Sequence, residues 1–224
     1  MEKQGRLIVI EGLDGSGKGT QTEILYKHLQ ETGKAVRRIT FPDYANKSST
    51  LVKMYLEGEI GGLHEVNAYA ASSFYACDRY ISYQRDWKQD YESGGVILCD
   101  RYTTSNIVYQ MAKLPQGQWE EYRAWAHNYE FERLGLPEPD LVLYLDMHPD
   151  TSRALLQKRY SGDSSKMDIH EQDLQFLQAC RAAALYAAEK MNWKILRCCR
   201  DGTPLPVAEI AGLIQKETQN IFEE

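Results

Sequence analysis

Short runs of apolar residues recur along the chain, and glycine, proline or polar residues bound each of them. Runs of this length that are apolar at successive positions are typical of strands buried on both faces of a parallel sheet. The predicted strands of this kind are residues 7–11, 96–100 and 141–146, and two further strands are predicted over residues 36–41 and 194–198.

Between these strands, apolar residues recur at helical spacing. The predicted helices cover residues 18–33, 50–57, 66–91, 104–112, 118–134, a stretch that starts at 149, 171–190 and 205–221. The alternation of strands and helices predicts an α/β fold, a three-layer sandwich with a five-stranded parallel sheet. A length of 224 residues suits a single domain of this kind.

The polar segments that follow the predicted strands are the expected place for chemistry. In open parallel sheets, ligands bind at the carboxyl ends of the strands. The segments at those ends are residues 12–17, 41–47, 100–106 and 146–149.

Composition narrows the class of function. The chain has 26 basic and 32 acidic residues, the reverse of the basic surplus typical of nucleic-acid-binding proteins. Its five cysteines form no CxxC pair and its five histidines no cluster, which predicts reduced thiols in a cytoplasmic protein and no protein-ligated transition metal. The apolar run Leu7–Ile10 is too short for a signal peptide or a membrane span, and no later apolar run is long enough to span a membrane. We therefore expect neither a nucleic-acid nor a membrane partner.

A glycine-rich loop follows the first predicted strand and precedes the first predicted helix. It matches the pattern G-x-x-x-x-G-K, in which backbone N–H groups and the helix N-terminus bind phosphate oxygens. Its residues, all predicted to bind ATP, are Gly12, Leu13, Asp14, Gly15, Ser16, Gly17, Lys18, Gly19 and Thr20. Lys18 supplies a cation for the β- and γ-phosphates.

One position in this loop departs from the common pattern, which places serine or threonine directly after the lysine to meet Mg²⁺. Gly19 occupies that position, and Thr20 follows it. The run Gly-Lys-Gly-Thr-Gln resembles that of adenylate-kinase-like nucleotide kinases. Magnesium is therefore expected to be held mainly by phosphates, water and a carboxylate.

The third predicted strand ends in Asp100-Arg101-Tyr102. Because this strand end is expected beside the phosphate loop, Asp100 is a candidate for binding Mg²⁺ or its waters. Arg101 is a candidate for a bidentate clamp on a phosphate. The alternative is a structural ion pair between the two residues at the end of a strand.

Taken together, these motifs resemble those of thymidylate kinases, members of the nucleoside monophosphate kinase branch of the P-loop NTPases. The resemblance covers nearly the whole chain. It comprises the phosphate loop with its aspartate, Phe41-Pro42, Phe74 to Arg79, Asp100 to Tyr102, Ser105-Asn106 with Tyr109, and Leu143 to Asp146. It implies transfer of the γ-phosphoryl group of ATP to dTMP with Mg²⁺, giving dTDP, by a homodimer. The helix predicted over 66–91 is the candidate interface; alternatively, its apolar residues belong to the core.

The resemblance also implies residue roles in the acceptor site. Asp14 would accept a hydrogen bond from the sugar 3′-hydroxyl, and Tyr75 would stack on thymine, since bases present a π-face to aromatic rings. Arg101 would bind the acceptor phosphate. The remaining substrate-binding residues are Phe41 and Pro42, Arg79 at the base edge, Ser105 and Asn106 facing the base, and Tyr109 against the sugar, where it disfavours a ribose 2′-hydroxyl.

Two departures from the family pattern concern this acceptor site. The family often has an arginine soon after Phe-Pro that binds the acceptor phosphate, whereas the segment after Pro42 contains Lys47 and no arginine. The stacking position is Tyr75, where family members often have phenylalanine.

A polar, basic segment at about residues 158–170 is predicted to form a lid. Some thymidylate kinases carry a catalytic arginine in the phosphate loop and others carry basic residues in a lid; Gly15 makes this chain similar to the second type. Arg159 and Lys166 are the predicted catalytic lid residues, beside Lys18 and Arg101. The alternative is a solvated cluster of charges. Arg200, after the last strand, is expected to shape the adenine site.

Two other functions remain compatible with the sequence. One is a kinase for a different nucleoside monophosphate, which the Tyr75, Arg79 and Asn106 pocket disfavours. The other is a nucleotide-dependent switch or ATPase, which would hydrolyse ATP without an acceptor.

Overall fold

The computed structural model describes residues 5–159, 161, 170 and 173–223. Its main sheet has five parallel strands in the order β2-β3-β1-β4-β5. They are β1 (Arg6–Gly12), β2 (Val36–Thr40), β3 (Val96–Asp100), β4 (Leu141–Asp146) and β5 (Lys194–Arg197). The predicted five-stranded parallel sheet is confirmed, with β2 and β5 each one residue shorter than expected.

Helices connect these strands. They are α1 (Lys18–Glu31), α2 (Thr50–Leu56), α3 (Ala68–Ser82), α4 (Lys88–Glu92), α5 (Trp119–His127), α6 (Pro149–Arg159), α7 (Leu174–Lys190) and α8 (Val207–Glu223). The single helix predicted over 66–91 is instead α3 and α4, joined by the π-helical turn Tyr83–Trp87. Two further π-helical turns, Asn106–Gln110 and Asn128–Arg133, lie within the predicted helices 104–112 and 118–134.

The sheet separates two hydrophobic cores, because successive strand side chains point to opposite faces. On β1, Leu7 and Val9 belong to one core, and Ile8 and Ile10 belong to the other. The first core packs against residues of α3, α5 and α7, and the second against residues of α1 and α8. These two helical layers with the sheet between them form the predicted three-layer sandwich.

After the last strand of the main sheet, the two-residue strands β6 (Cys199–Arg200) and β7 (Thr203–Pro204) form an antiparallel hairpin. Thr151 on α6 donates a hydrogen bond to the Gly202 carbonyl in this hairpin at 3.0 Å. Among the helices of the described residues, none combines the length and the apolarity that crossing a membrane requires.

Candidate active site

The phosphate loop joins β1 to α1 at the carboxyl edge of the sheet. Lys18, the first residue of α1, is buried, and its ammonium donates to the Leu13 carbonyl at 2.9 Å. The same ammonium lies 3.9 Å from the Asp14 carboxylate. Burial and the nearby Arg101 lower the pKa of Lys18, while the surrounding carboxylates oppose that shift. The ammonium of Lys18 therefore lies against the loop that is predicted to bind the phosphates.

Helix α6 packs directly on this loop at Gly15. A Cβ atom at Gly15 would lie 2.4 Å from the Ser152 carbonyl oxygen and 2.9 Å from Leu156, and the backbone there has a φ of +81°. The Ser152 hydroxyl donates to the Asp14 carbonyl. Because α6 fills the space beside Gly15, a side chain at this position would require α6 or the loop to move.

Arg101 follows β3 and projects over the phosphate loop. Its backbone is left-handed, with a φ of +68°, which turns the side chain away from the line of the strand. The guanidinium donates to Asp14 at 2.5 Å, to the Tyr109 hydroxyl at 3.1 Å and to Glu11 at 3.2 Å. The alternative interpretation of Asp100 and Arg101, an ion pair between the two, is therefore wrong. The arginine instead binds carboxylates on β1 and the loop.

Asp14 and Tyr109 are held together by the same network. The Tyr109 hydroxyl donates to Asp14 at 2.8 Å, and the Arg101 guanidinium lies 5.0 Å from the centre of the Tyr109 ring. Burial alone would raise the pKa of Asp14, but Arg101, Lys18 and the hydrogen bonds outweigh it, so the pKa lies well below its usual range. Asp14 is consequently an ionised acceptor for hydrogen bonds.

Glu11 is a functional candidate that sequence reasoning missed. It has no exposed surface, and its carboxylate accepts hydrogen bonds from Thr104 and Ser105, both at 2.7 Å, as well as from Arg101. The signal in the sequence was a glutamate at the end of an otherwise apolar strand. Its contacts tie the end of β1 to the segment that follows β3.

A cavity opens beside this network. All of the residues predicted to bind the acceptor line it, together with several others that were not predicted. Its lining comprises Asp14, Phe41, Pro42, Tyr44, Leu56, Tyr75, Arg79, Arg101, Tyr102, Ser105, Asn106, Tyr109, Gln110 and His170. The predicted residues therefore converge on one cavity, although they come from separate stretches of the chain; we call it the aromatic cavity after its Phe and Tyr side chains.

Arg79 is placed in this cavity by a partner that sequence reasoning also missed. Glu130, in the third π-helical turn, accepts two hydrogen bonds from the Arg79 guanidinium at 2.6 and 2.7 Å. Asn106 donates to the same carboxylate at 2.8 Å. All three side chains are at most 2% exposed. The pair fixes the orientation of Arg79 at the cavity wall.

A second, outer cleft runs along the phosphate loop. It is lined by Gly15, Gly17, Lys18, Gly19, Thr20 and Asp100, among others. The cleft and the aromatic cavity share Asp14, Phe41, Pro42, Tyr44 and Arg101. The two spaces therefore meet at Asp14 and Arg101.

Asp100 and Thr20 both line the outer cleft, as their predicted metal role requires. The Asp100 carboxylate lies 3.5 Å from where a Cβ atom at Gly19 would stand. Burial raises the pKa of Asp100, and Lys18 and Arg101 oppose that shift. No three His, Cys, Asp or Glu side chains cluster as a metal site within residues 5–159 and 173–223.

Of the other predicted cations, Arg200 and Lys47 line neither of these two spaces. Arg200 on β6 is 74% exposed and pairs with Glu209 at 3.6 Å. Arg159 ends α6, and Lys166 falls outside the described residues. Lys47, the candidate substitute for the missing arginine, is exposed in a short 3-10 helix after β2.

Comparisons with known proteins identify the family of the chain. The family model described as thymidylate kinase matches residues 10–200. A thymidylate kinase of Mycobacterium tuberculosis is 32% identical over 185 residues, covering 81% of this chain and 84% of that protein. One from Danio rerio is 28% identical, covering 88% and 84%. A solved thymidylate kinase of Candida albicans, 23% identical, has the same fold, with a TM-score of 0.69 over 97% of this chain and 92% of the other. The chain belongs to the thymidylate kinase family, a family of phosphotransferases within the nucleoside monophosphate kinases.

Proposed function

We propose that the outer cleft binds ATP and that the aromatic cavity binds dTMP, so that the γ-phosphoryl group is transferred at Asp14 and Arg101. The observation that carries this proposal is the sharing of these two residues between the two spaces. Two nucleotides bound with their phosphates toward each other would meet at the shared residues. Such positioning accounts for much of the catalysis of phosphoryl transfer.

In the acceptor cavity, Tyr75 stacks on the thymine ring and Arg79 and Asn106 face the edge of the base. Support comes from the Glu130 carboxylate, which both Arg79 and Asn106 contact, so that their orientations are fixed before a ligand binds. Asp14 accepts the hydrogen bond of the sugar 3′-hydroxyl, and Tyr109 lies against the sugar. Phe41, Pro42 and Ser105 complete the lining.

In the donor cleft, N–H groups of the loop from Gly12 to Gly17 and the N-terminus of α1 hold the phosphates of ATP. Lys18 neutralises charge on the β- and γ-phosphates. Arg101 leaves part of its carboxylate contacts to bind the acceptor phosphate. Since the acceptor is itself a phosphate anion, the reaction needs no strong general base.

The donor cleft also fits magnesium. Asp100 offers a hard oxygen ligand, and Thr20 a hydroxyl, on the same side of the phosphate loop. A magnesium ion there would neutralise charge on the ATP phosphates. The same proposal assigns Arg159 and Lys166 to the lid as catalytic cations and Arg200 to the adenine site.

The decisive experiment is a coupled assay of ADP release with ATP and Mg²⁺ across dTMP, dUMP, UMP, CMP, AMP and GMP. Strong turnover with dTMP and little with ribonucleotides supports the proposal. Turnover with another acceptor would support a nucleotide kinase activity but contradict the assignment of the aromatic cavity to thymine. Release of ADP without any acceptor would favour a nucleotide switch.

A matched pair of variants tests the role of Arg101. Arg101→Ala removes a charge-assisted clamp, and we expect kcat/KM for dTMP to fall about 100-fold or more. Arg37→Ala is the control, because Arg37 pairs with Asp90 near the opposite edge of the sheet and lines neither space. Unchanged turnover in a folded Arg101→Ala variant would remove the arginine from the mechanism.

We further propose a cytoplasmic homodimer that uses α3. All five cysteines are free thiols, which suits a reducing compartment. On α3, Cys77 and Tyr80 are exposed, so this helix offers surface to a second subunit. Light scattering after size exclusion tests the dimer, and Tyr80→Glu should shift it to monomer.

A further inference from the structure

His170 lies in the wall of the aromatic cavity, although no motif in the sequence singles it out. Its side chain is 5% exposed, and its ring stacks on the Tyr109 ring with centroids 5.5 Å apart and planes 19° apart. Tyr109 in turn donates its hydroxyl to Asp14. The histidine therefore touches an aromatic ring that connects the cavity wall to the phosphate loop.

A chain of hydrogen bonds fixes the imidazole from its other side. Lys113 donates to the Tyr55 hydroxyl at 2.7 Å, and that hydroxyl lies 3.0 Å from Nε2 of His170. An ammonium can only donate, so the Tyr55 oxygen accepts from Lys113, and the same hydroxyl lies within hydrogen-bond distance of Nε2. The contact with Tyr55 thus fixes the position of the imidazole ring.

The charges around His170 agree with a neutral ring. Burial first, and then the Lys113 cation, lower the pKa of His170 to about 3, against a smaller opposing effect of Asp14. Arg101 acts in the same direction as Lys113. The rings of Tyr55, Tyr109 and Phe176 surround the imidazole. A neutral imidazole can stack on Tyr109 without placing a charge in the cavity.

We infer that His170 is a positioning residue of the acceptor site, which holds the Tyr109 ring so that the site discriminates 2′-deoxyribonucleotides from ribonucleotides. The inference rests on the proposed function, because it takes the aromatic cavity as the place of the acceptor sugar. Tyr55 and Lys113 support the imidazole, and the imidazole supports Tyr109. The histidine itself takes no part in phosphoryl transfer.

The test compares dTMP with ribothymidine 5′-monophosphate in steady-state assays of the full-length chain. His170→Ala removes the stack, and we expect KM for dTMP to rise about tenfold, with KM for ATP unchanged and the preference for dTMP lowered about tenfold. His170→Phe keeps a stacking ring and should retain most of the preference. Phenylalanine can stack but has no nitrogen to exchange a proton, so this rescue would show that the stacking contact matters and not acid–base chemistry of the imidazole.

Tyr55→Phe supplies a second measurement if His170→Ala does not fold. It removes the hydroxyl that contacts Nε2 and accepts from Lys113, keeps the ring, and should lower the preference for dTMP about threefold. Tyr186→Phe is its control, because that hydroxyl binds Glu120 outside the cavity. An unchanged preference in a folded His170→Ala variant, or in Tyr55→Phe where the alanine variant is unfolded, would overturn the inference. An inactive wild-type chain would overturn it together with the proposed function.

Discussion

Arg79 and Glu130 form a bidentate ion pair inside the protein, with the two N–H···O distances at 2.6 and 2.7 Å. Neither side chain is more than 2% exposed. Burial would lower the pKa of Arg79, but the Glu130 carboxylate outweighs it and raises that pKa. The arginine stays charged in a place where an unpaired charge would be costly, and so it presents a fixed guanidinium to the cavity.

We expect Glu130→Ala to lower the free energy of unfolding by about 3–5 kcal/mol, because it leaves a buried arginine without its counter-ion. KM for dTMP should rise as well, since Arg79 and Asn106 both lose the acceptor that orients them. Urea denaturation and steady-state kinetics measure the two effects. Glu120→Ala is the control: Glu120 is 57% exposed and pairs with Arg123 at the surface, so its removal should cost at most about 1 kcal/mol and leave KM for dTMP unchanged. Equal stability of the two variants would contradict the prediction.

Two glycine variants can separate the cost of close packing against α6 from the cost of a left-handed backbone. Gly15 and Gly33 both have positive φ angles, +81° and +78°, but only Gly15 is enclosed by α6. Gly33→Ala should cost about 1–2 kcal/mol, the strain of a left-handed L-residue. Gly15→Ala carries the same strain plus a contact of 2.4 Å with the Ser152 carbonyl, so we expect a larger loss of stability.

Gly15→Ala should also weaken ATP binding, because relief of the contact must move either the loop or α6. Calorimetric titration with ATP measures this, and Gly33→Ala should bind ATP as the wild type does. A Gly15→Ala variant as stable as Gly33→Ala would show that α6 moves away without cost.

Much of this site follows from local sequence. The strands and the phosphate loop are set by neighbouring residues, as glycines in the run from Gly12 to Gly17 permit a turn that other residues resist. The segments after β1, β2 and β3 meet because parallel strands place their carboxyl ends on one edge. For that reason the sequence pattern alone suffices to assign Asp14, Phe41 and Arg101 to one site.

The supporting residues could not be assigned in this way. Glu130 pairs with a residue 51 positions away, and His170 contacts Tyr55 across 115 positions. Neither residue lies in a motif, and the approach of their side chains depends on how π-helical turns and helices pack. Similarly, nothing in the sequence indicates that Arg101 contacts Asp14 and Glu11, which its left-handed backbone brings within reach of the guanidinium.

The neutral imidazole of His170 predicts a pH dependence of stability. With a folded-state pKa of about 3 and an unfolded value of about 6.5, the unfolded chain binds the extra proton between these values. Stability is therefore lost as the pH falls from 6.5 toward 3, by up to about 1.4 kcal/mol per pH unit. The lowered pKa of Asp14 also stabilises the fold, but that contribution to the free energy of unfolding is lost only below about pH 4 and does not overlap with this effect.

His170→Phe isolates the contribution, because it removes the titrating group and keeps the ring. The difference in unfolding free energy between wild type and this variant, measured in urea at about pH 7, 6 and 5, should shift in favour of the variant as the pH falls. A difference that does not change with pH would mean that His170 takes up a proton in the folded protein.

Glu11 provides a test of how Arg101 is oriented. One of its carboxylate oxygens accepts from the Gly12 N–H and from Arg101, and the other from the hydroxyls of Thr104 and Ser105. In Glu11→Gln the amide nitrogen can face only the hydroxyls, which can reverse to accept, whereas the N–H groups cannot. The variant should fold with a loss of about 1–3 kcal/mol.

The same variant lacks the charge that helps to hold the Arg101 guanidinium over the loop, so we expect kcat with dTMP to fall about tenfold or more. Glu65→Gln is the matched control, because that exposed glutamate also accepts a backbone N–H, from Gly62 at 2.7 Å. If Glu11→Gln keeps the wild-type kcat, the remaining contacts with Asp14 and Tyr109 suffice to orient Arg101, and the buried glutamate serves only to join β1 to the segment after β3.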